Sequence, residues 1–259
     1  MNLSPSSLPS TDLHGQVALV TGGSRGLGAA LALALAQRGA DVAITYVHSA
    51  DQAQAVVARL QALGVRALAI RSDQADPGSA SALMDTVMAH FGRLDILIHN
   101  AAVAVQGARV DDPAVDAAGL DHMWRTNVHG PLALTRAAAP LLPQDARILF
   151  IGSGFGTRVA FAGVADYAAT KAALVGYARG AARDLGPRGI TVNVLQPGIM
   201  PTAMAGPLAS DPPQALLDLH TITRIATLEE VAAMAAHLVG PQAGYISGTV
   251  VEVSGGYTA

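Results

Sequence analysis

The chain has 259 residues, of which 51% are hydrophobic and 14% charged, so it can bury a sizeable core as one α/β domain. Its net charge of -3 excludes the basic surface that nucleic acid or an anionic membrane would require. It contains no cysteine, which excludes disulfides and thiolate chemistry, and no metal site is predicted. No apolar run reaches the roughly 20 residues that span a bilayer, so we expect a soluble, cytoplasmic protein.

Residues 1–13 are polar and lack the basic start and apolar core of a signal peptide. We predict a flexible tail there and a single domain over residues 14–259. Within that domain, short apolar runs typical of strands alternate with helical patterns. This alternation predicts an α/β fold of the Rossmann type, a doubly wound parallel sheet of about seven strands with helices on both faces.

The first strand leads into a glycine-rich turn and then into an Ala/Leu-rich helix. The turn reads Thr21-Gly22-Gly23-Ser24-Arg25-Gly26-Leu27-Gly28. Backbone N–H groups and the positive end of the helix face an anion in such a turn, so it can cradle phosphate. A simple tight turn is the alternative, because the spacing differs from the commoner Gly-x-Gly-x-x-Gly.

The second strand ends Tyr46-Val47-His48-Ser49, without the carboxylate that would bind the ribose 2′-hydroxyl of NAD. Arg25, inside the glycine turn, can pair with a 2′-phosphate, and His48 and Ser49 are further donors. The pattern favours NADPH/NADP+ over NADH. Alternatively, Arg25 is a solvated loop residue and His48 a surface histidine.

Polar and small residues follow the next strands. Asp73-Gln74 comes after the third strand, Asn100-Ala101-Ala102 after the fourth and Ser153 after the fifth. Ligands of open α/β sheets bind at the carboxyl ends of the strands. We expect Asp73-Gln74 to contact adenine, Asn100 to tie strand ends together, and Ser153 to point toward the ligand.

Tyr167 and Lys171 lie four positions apart in a predicted helix and therefore on one face of it. A nearby ammonium lowers the pKa of a phenol, which could then exchange a proton with a carbonyl oxygen or an alcohol. An ordinary amphipathic helix is the alternative.

A long helix is predicted over residues 117–142, with a defect at Pro131. Pro131 has no N–H, so the carbonyl of Asn127 loses its helical partner and could hold a water. A packing kink explains the pattern equally well.

In this order, the glycine turn, Asn100-Ala101, Asn127, Ser153, Tyr167-x-x-x-Lys171 and Pro197-Gly198 resemble the short-chain dehydrogenase/reductase family over about residues 14–257. The resemblance implies that Tyr167 is the general acid/base and that Ser153 holds the substrate oxygen. It further implies that Lys171 bonds the nicotinamide ribose and lowers the tyrosine pKa, and that Asn127 keeps a water linked to Lys171.

The residue patterns and the resemblance together predict two sets of contacts. The cofactor contacts are Gly22, Ser24, Arg25, Gly26, Leu27, Gly28, Tyr46, His48, Ser49, Asp73, Gln74, Asn100, Ala101, Ala102, Tyr167, Lys171, Pro197, Gly198, Ile199 and Thr202. The substrate contacts are Ser153, Gly154, Phe155, Val159 and Phe161. Two departures stand out: His99-Asn100-Ala101-Ala102 replaces the family's usual Asn-Asn-Ala-Gly, and the interval from Ser153 to Tyr167 is one residue longer than the commonest one.

The resulting expectation is an NADPH-dependent oxidoreductase that reversibly reduces a ketone or aldehyde to an alcohol. The alternative is a nucleotide-sensing protein, for example for a cyclic dinucleotide, with little turnover. We expect a small-molecule carbonyl or alcohol substrate, no nucleic-acid or membrane partner, and a homotetramer.

Overall fold

Seven strands form one parallel sheet in the order β3-β2-β1-β4-β5-β6-β7. The computed structural model describes residues 12–259, apart from the side chains of Pro207 and Ala209. The strands are β1 (Val17–Val20), β2 (Asp41–Tyr46), β3 (Ala67–Arg71), β4 (Ile96–His99), β5 (Arg147–Ile151), β6 (Thr191–Pro197) and β7 (Val250–Val253). The strand order reverses between β1 and β4, so their carboxyl ends open a crevice at the sheet edge.

Helices cover both faces of the sheet. They are α1 (Gly26–Gln37), α2 (Ala50–Gln61), α3 (Ser79–Phe91), α4 (Ala117–Trp124), α5 (Gly130–Ala138), α6 (Ala165–Leu185), α7 (Gln214–Leu217) and α8 (Leu228–Leu238). Successive side chains of β1 enter different cores, because strand residues alternate in direction. Ala18 and Val20 pack with α1, α2 and α8, whereas Val17 and Leu19 pack with α3, α5 and α6. The predicted doubly wound parallel sheet is confirmed.

Two residues that were predicted to lie in the tail are part of the described fold. The expected tail over residues 1–13 lies mostly outside the described residues, but its last two residues belong to the fold. Leu13 is fully buried. The carboxylate of Asp12 accepts a hydrogen bond of 2.8 Å from Nε of Arg38 at the end of α1. These contacts attach the start of the domain to the first helix.

The predicted helix over residues 117–142 is divided by a π-helical turn at Arg125–His129. Gly130 N–H donates to the carbonyl of Arg125, five residues earlier, which is the π pattern next to Pro131. The second part ends at Ala138 rather than at residue 142. Pro140 explains this early end, because a proline disfavours helical geometry in the residue before it.

Candidate active site

A cleft of about 770 Å³ lies along the carboxyl ends of the strands. It contains almost every residue for which the sequence predicts a role. The lining includes Gly22, Ser24, Arg25, Gly26, Leu27, Gly28, Tyr46, His48, Ser49, Asp73, Gln74, Asn100, Ala101, Ala102, Ser153, Gly154, Phe155, Phe161, Tyr167, Lys171, Pro197, Gly198, Ile199 and Thr202. Two predicted residues, Asn127 and Val159, do not line it.

The glycine turn at one end of the cleft has a conformation that side chains would block. Gly22 has a φ of 65°, and an added Cβ would lie 3.0 Å from the Cα of Ala101. A Cβ on Gly28 would lie 2.2 Å from the carbonyl oxygen of Gly22. These glycines therefore let the backbone of the turn fold tightly against the start of α1.

Hydrogen bonds hold this turn to the end of β4. The hydroxyl of Thr21 accepts from the backbone N–H groups of Asn100 and Ala101, both at 3.0 Å. Nδ2 of Asn100 donates to the carbonyls of Thr21 at 2.9 Å and Gly22 at 3.2 Å. The expectation that Asn100 ties strand ends together is confirmed, and the loop is preorganised by the chain itself.

Beyond the turn, the cleft reaches the end of β2 and the start of α2. Tyr46, His48 and Ser49 line it there. The guanidinium of Arg25 is exposed on the same side and has no hydrogen-bond or ion-pair partner among residues 12–259. With no carboxylate at the strand tip, this corner suits an anion.

The residues after the third strand line the cleft and also make hydrogen bonds within the protein, and their contact with adenine stays a prediction. Nε2 of Gln74 donates to the carbonyls of Ala101 at 2.9 Å and Thr126 at 2.7 Å, so both amide protons serve the protein itself. Asp73 lines the cleft and accepts from the N–H of Ala75 at 2.9 Å. Gln74 thus connects the β4 loop to the π-helical turn, a role for which the sequence carried no signal.

Tyr167 and Lys171 lie one turn apart on α6, and both side chains are buried beneath the cleft surface. Nζ of Lys171 donates to the carbonyl of Ile151 at 3.1 Å and lies 5.7 Å from the centre of the Tyr167 ring. Burial lowers the pKa of Lys171 to about 8. The end of β5 and the tyrosine helix therefore meet through this lysine.

The pKa of Tyr167 differs from the expectation. Burial raises it to about 12, and interaction with the Ser153 hydroxyl only partly opposes the rise. The predicted lowering of the Tyr167 pKa by Lys171 is not found, because burial dominates the shift and Ser153 alone opposes it. Tyr167 is consequently protonated at neutral pH, the state that a proton donor requires.

Asn127 supports the site from outside the cleft. Its Oδ1 accepts from Val103 N–H at 2.9 Å, and its Nδ2 donates to the Val103 carbonyl at 2.8 Å and to Oγ1 of Thr170 at 3.2 Å. The side chain thus joins the loop after β4 to α6. The water that the sequence assigns to Asn127 stays a prediction.

Aromatic side chains form the other end of the cleft. The ring of Phe155 meets those of Phe161, Tyr257 and Tyr167 edge-on, with centroid distances of 5.2, 5.9 and 6.2 Å. Val159 instead has 53% of its surface exposed and lies outside the lining. This aromatic wall adjoins the Tyr167 phenol.

Sequence reasoning missed several lining residues at this end: Gln106, His122, Leu216, His220 and Tyr257. Tyr257 belongs to the chain terminus, which returns to the cleft after Gly255 and Gly256, with φ of 61° and 78°. Its hydroxyl donates to the carbonyl of Arg158 at 3.1 Å. Adjacent glycines were the available signal, since they permit a reversal that other residues disfavour.

His99, the departure from the usual family pattern, has a structural position. It is buried, stacks on Phe150 at 4.5 Å and has Nε2 at 2.9 Å from Oγ1 of Thr135. Burial lowers its pKa to about 3, so the ring is neutral. Within residues 12–259, no group of His, Asp or Glu side chains is arranged to hold a metal ion, and no helix could cross a membrane.

Comparisons with known proteins agree with this geometry. The enoyl-(acyl carrier protein) reductase family model matches residues 22–258. The chain is 41% identical to a cyclic-di-GMP-binding biofilm dispersal mediator protein of Escherichia coli, over 95% of this chain and 98% of that protein. It is 34% identical to a 3-oxoacyl-[acyl-carrier-protein] reductase of Staphylococcus aureus, over 92% and 96%.

Among solved structures, a short-chain dehydrogenase from Burkholderia cenocepacia in complex with NADP has a TM-score of 0.90 and 46% identity. The match covers 96% of this chain and all of that one. The chain belongs to the short-chain dehydrogenase/reductase family of oxidoreductases.

Proposed function

We propose that this protein is an NADPH-dependent carbonyl reductase, which also works in reverse as an alcohol dehydrogenase. The observation that carries the proposal is the position of Tyr167. Its phenol lines the same cleft as the glycine turn and its ring meets Phe155 of the aromatic wall, while Ser153 interacts with its hydroxyl and Lys171 lies one helical turn away. A protonated tyrosine between a nucleotide site and an apolar pocket is suited to donate a proton to a carbonyl oxygen.

The chain's own residues fit a phosphorylated dinucleotide. The turn around Gly22 and Gly28 has room for close backbone approach but not for side chains. Arg25 is free to pair with a 2′-phosphate, and the NADP complex of the Burkholderia relative supports this choice of cofactor. When bound, NADPH supplies the hydride.

In this scheme the protein supplies placement and the proton. The hydroxyls of Ser153 and Tyr167 donate to the carbonyl oxygen as negative charge develops there. Tyr167 then gives up its proton, which its raised pKa keeps available at neutral pH. Lys171 is placed to bond the cofactor ribose, since its Nζ lies 5.7 Å from the centre of the Tyr167 ring.

The substrate class follows from the aromatic wall. Phe155, Phe161 and Tyr257 favour a ketone with an apolar, planar substituent. Reduction of a 3-oxoacyl group on an acyl carrier protein is the second candidate, which the Staphylococcus relative supports. An acidic carrier would require a basic rim, yet residues 198–219 contain no Lys or Arg, so we favour the small ketone.

The test is NADPH oxidation, followed by absorbance, against a panel of aryl and alkyl ketones and a 3-oxoacyl thioester. The proposal predicts turnover with ketones. A nucleotide sensor is the rival, and the 41% identical dispersal mediator is the observation that favours it. Tight binding of cyclic-di-GMP without turnover of any carbonyl would establish the sensor instead.

We also propose a homotetramer. On α6, Ala172, Gly176 and Gly180 form an exposed stripe, and a Cβ on either glycine would meet nothing within 4 Å. Tyr245, beside the edge strand β7, is fully exposed. These two surfaces could each meet a symmetry-related copy. Light scattering at micromolar concentration should give a tetramer mass, and a monomer mass would refute the proposal.

A further inference from the structure

Gln196 on β6 is a buried polar side chain that the reaction scheme does not use. It is 0% exposed and does not line the cleft, so it cannot touch substrate or cofactor. A buried amide must find hydrogen-bond partners, because leaving one unmade costs about 1–3 kcal/mol. Its partners therefore indicate what the side chain does.

The amide meets the turn that begins at Ser153. With its nitrogen facing the surrounding acceptors, the amide nitrogen lies 2.6 Å from Oε1 of Glu252 on β7, 2.8 Å from Oγ1 of Thr157 and 3.2 Å from the carbonyl oxygen of Ser153. Its two N–H groups are shared among these three acceptors. The opposite orientation would place the amide oxygen against the Glu252 carboxylate, so the neighbours fix the assignment. Gln196 thus holds both ends of the turn and joins them to the edge strand.

Two glycines make room for this side chain. A Cβ on Gly152, just before Ser153, would lie 2.8 Å from Cγ1 of Val194 and 2.9 Å from Cγ of Gln196. A Cβ on Gly156, at the other end of the turn, would lie 2.9 Å from the Gln196 amide. The turn is therefore built against Gln196 at both ends, and the backbone of Ser153 lies between the two contacts.

From these contacts we infer that Gln196 is a positioning residue, which holds the Ser153 turn so that the Ser153 hydroxyl faces the Tyr167 phenol. The inference rests on the proposed reductase activity. By this inference, a side chain beneath the cleft sets the relative position of the Ser153 and Tyr167 hydroxyls, which donate to the carbonyl oxygen. A turn displaced by about 1 Å would lose rate without losing cofactor, since hydride and proton transfer depend on close alignment.

The test is a double-mutant cycle between Gln196→Met and Ser153→Ala. Gln196→Met should lower kcat for a ketone about 10- to 100-fold, as a misplaced catalytic group does, with the KM for NADPH unchanged. The acid limb of alcohol oxidation should move to higher pH, because the Ser153 interaction that lowers the tyrosine pKa is weakened. In the Ser153→Ala background, Gln196→Met should cost nothing further, because its effect passes through Ser153.

Asn193→Leu is the matched control. Asn193 is also buried on β6, but its Nδ2 donates to Ile246 at 2.7 Å, away from the turn. The Asn193→Leu variant should have lower thermal stability than wild type, with an unchanged pH profile of alcohol oxidation. The inference is overturned if Gln196→Met keeps the wild-type kcat. It is also overturned if the fold-loss of kcat in the double variant equals the product of the losses in Gln196→Met and Ser153→Ala.

Two further measurements test the inference if Gln196→Met does not fold or if the protein is not a reductase. The double variant Gln196→Glu/Glu252→Gln keeps a hydrogen bond between β6 and β7 but removes the donor to Ser153, so it should stay slow; wild-type kcat would overturn the inference. If wild-type protein reduces no ketone, the proposed function fails. The ultraviolet titration of Tyr167, taken as the difference from Tyr167→Phe, still tests Gln196: a higher pKa in Gln196→Met supports it and an unchanged pKa overturns it.

Discussion

The two ends of the cleft are built in different ways. At the nucleotide end, Thr21 and Asn100 form a closed set of hydrogen bonds around glycines that accept no side chain. At the proposed substrate end, the lining is made of apolar rings and partly exposed side chains, including Phe161 at 40% and Met204 at 48% exposure. Backbone geometry fixes the first end, and side-chain packing shapes the second.

This difference explains how one fold serves many substrates. The nucleotide end tolerates little change, because substitutions there collide with backbone. The substrate end can exchange apolar side chains at a modest cost in affinity. Tyr167 lines the same cleft and meets the aromatic wall at Phe155, and its variants should have the largest effects on rate.

Tyr167→Phe should have the largest effect. Losing the hydroxyl should lower kcat about 10²- to 10⁴-fold in both directions, the range of general acid–base catalysis. NADPH binding, measured by fluorescence, should remain. Tyr177→Phe on the same helix, outside the cleft, is the control and should keep wild-type rate. More than roughly a hundredth of the wild-type rate in Tyr167→Phe would exclude Tyr167 as the proton donor.

Arg25→Ala tests the nucleotide end. It should weaken NADPH by about 1.5–3 kcal/mol, the value of a charged hydrogen bond, and leave NADH nearly unchanged. Calorimetric titration of both cofactors gives the comparison. Arg59→Ala, an exposed arginine of α2 outside the cleft, should change neither. Equal losses for the two cofactors would refute the 2′-phosphate role.

Lys171→Met tests how much the buried charge of Lys171 lowers the stability of the protein. The pKa of Lys171 is about 8 in the folded protein, against an ordinary value of 10.5, so the unfolded chain binds more protons between these values. Wild-type stability should therefore rise from pH 8 to 10.5, and below pH 8 the buried charge costs roughly 1–3 kcal/mol. Thermal melts should show Lys171→Met more stable than wild type at pH 7, with a gap that narrows as pH rises. A less stable variant at pH 7 would contradict this.

Phe161→Ala tests the substrate end and should have the smallest effect. Removing a half-exposed ring should raise KM for an aryl ketone by about fivefold, which corresponds to about 1 kcal/mol of apolar contact. An alkyl ketone should be affected less. Val159→Ala, which lies outside the lining, is the control for the same segment. An unchanged KM would place the substrate elsewhere.

The sequence predicted best what is local or set by the backbone. The sheet and the glycine turn follow from short-range patterns, and the spacing Thr227-x-x-Glu230 is that of a capping box at the start of α8. In that box Thr227 Oγ1 accepts from Glu230 N–H at 3.1 Å, and the Glu230 carboxylate accepts from Thr227 N–H at 2.8 Å. Residues at strand ends were predicted to share one cleft because parallel strands end at one sheet edge.

What the sequence could not give depends on contacts between distant segments. Tyr257 lies about 100 residues from Phe155 and meets it only through the reversal at the terminus. Gln74 carries no sign that both its amide protons bond the β4 loop and the π-helical turn. The pKa of Tyr167 depends on burial, which neither the Tyr–Lys spacing nor the family pattern measures.

The central claim is that the chain transfers a hydride from NADPH to a carbonyl carbon. The most direct measurement uses NADPH carrying deuterium at one face of nicotinamide C4, an aryl ketone, and mass spectrometry of the product. The account predicts an alcohol with deuterium on its carbinol carbon from one of the two labelled faces only, and none from Tyr167→Phe on the same timescale. Unlabelled alcohol, or no alcohol from any ketone while NADPH binds, would contradict it.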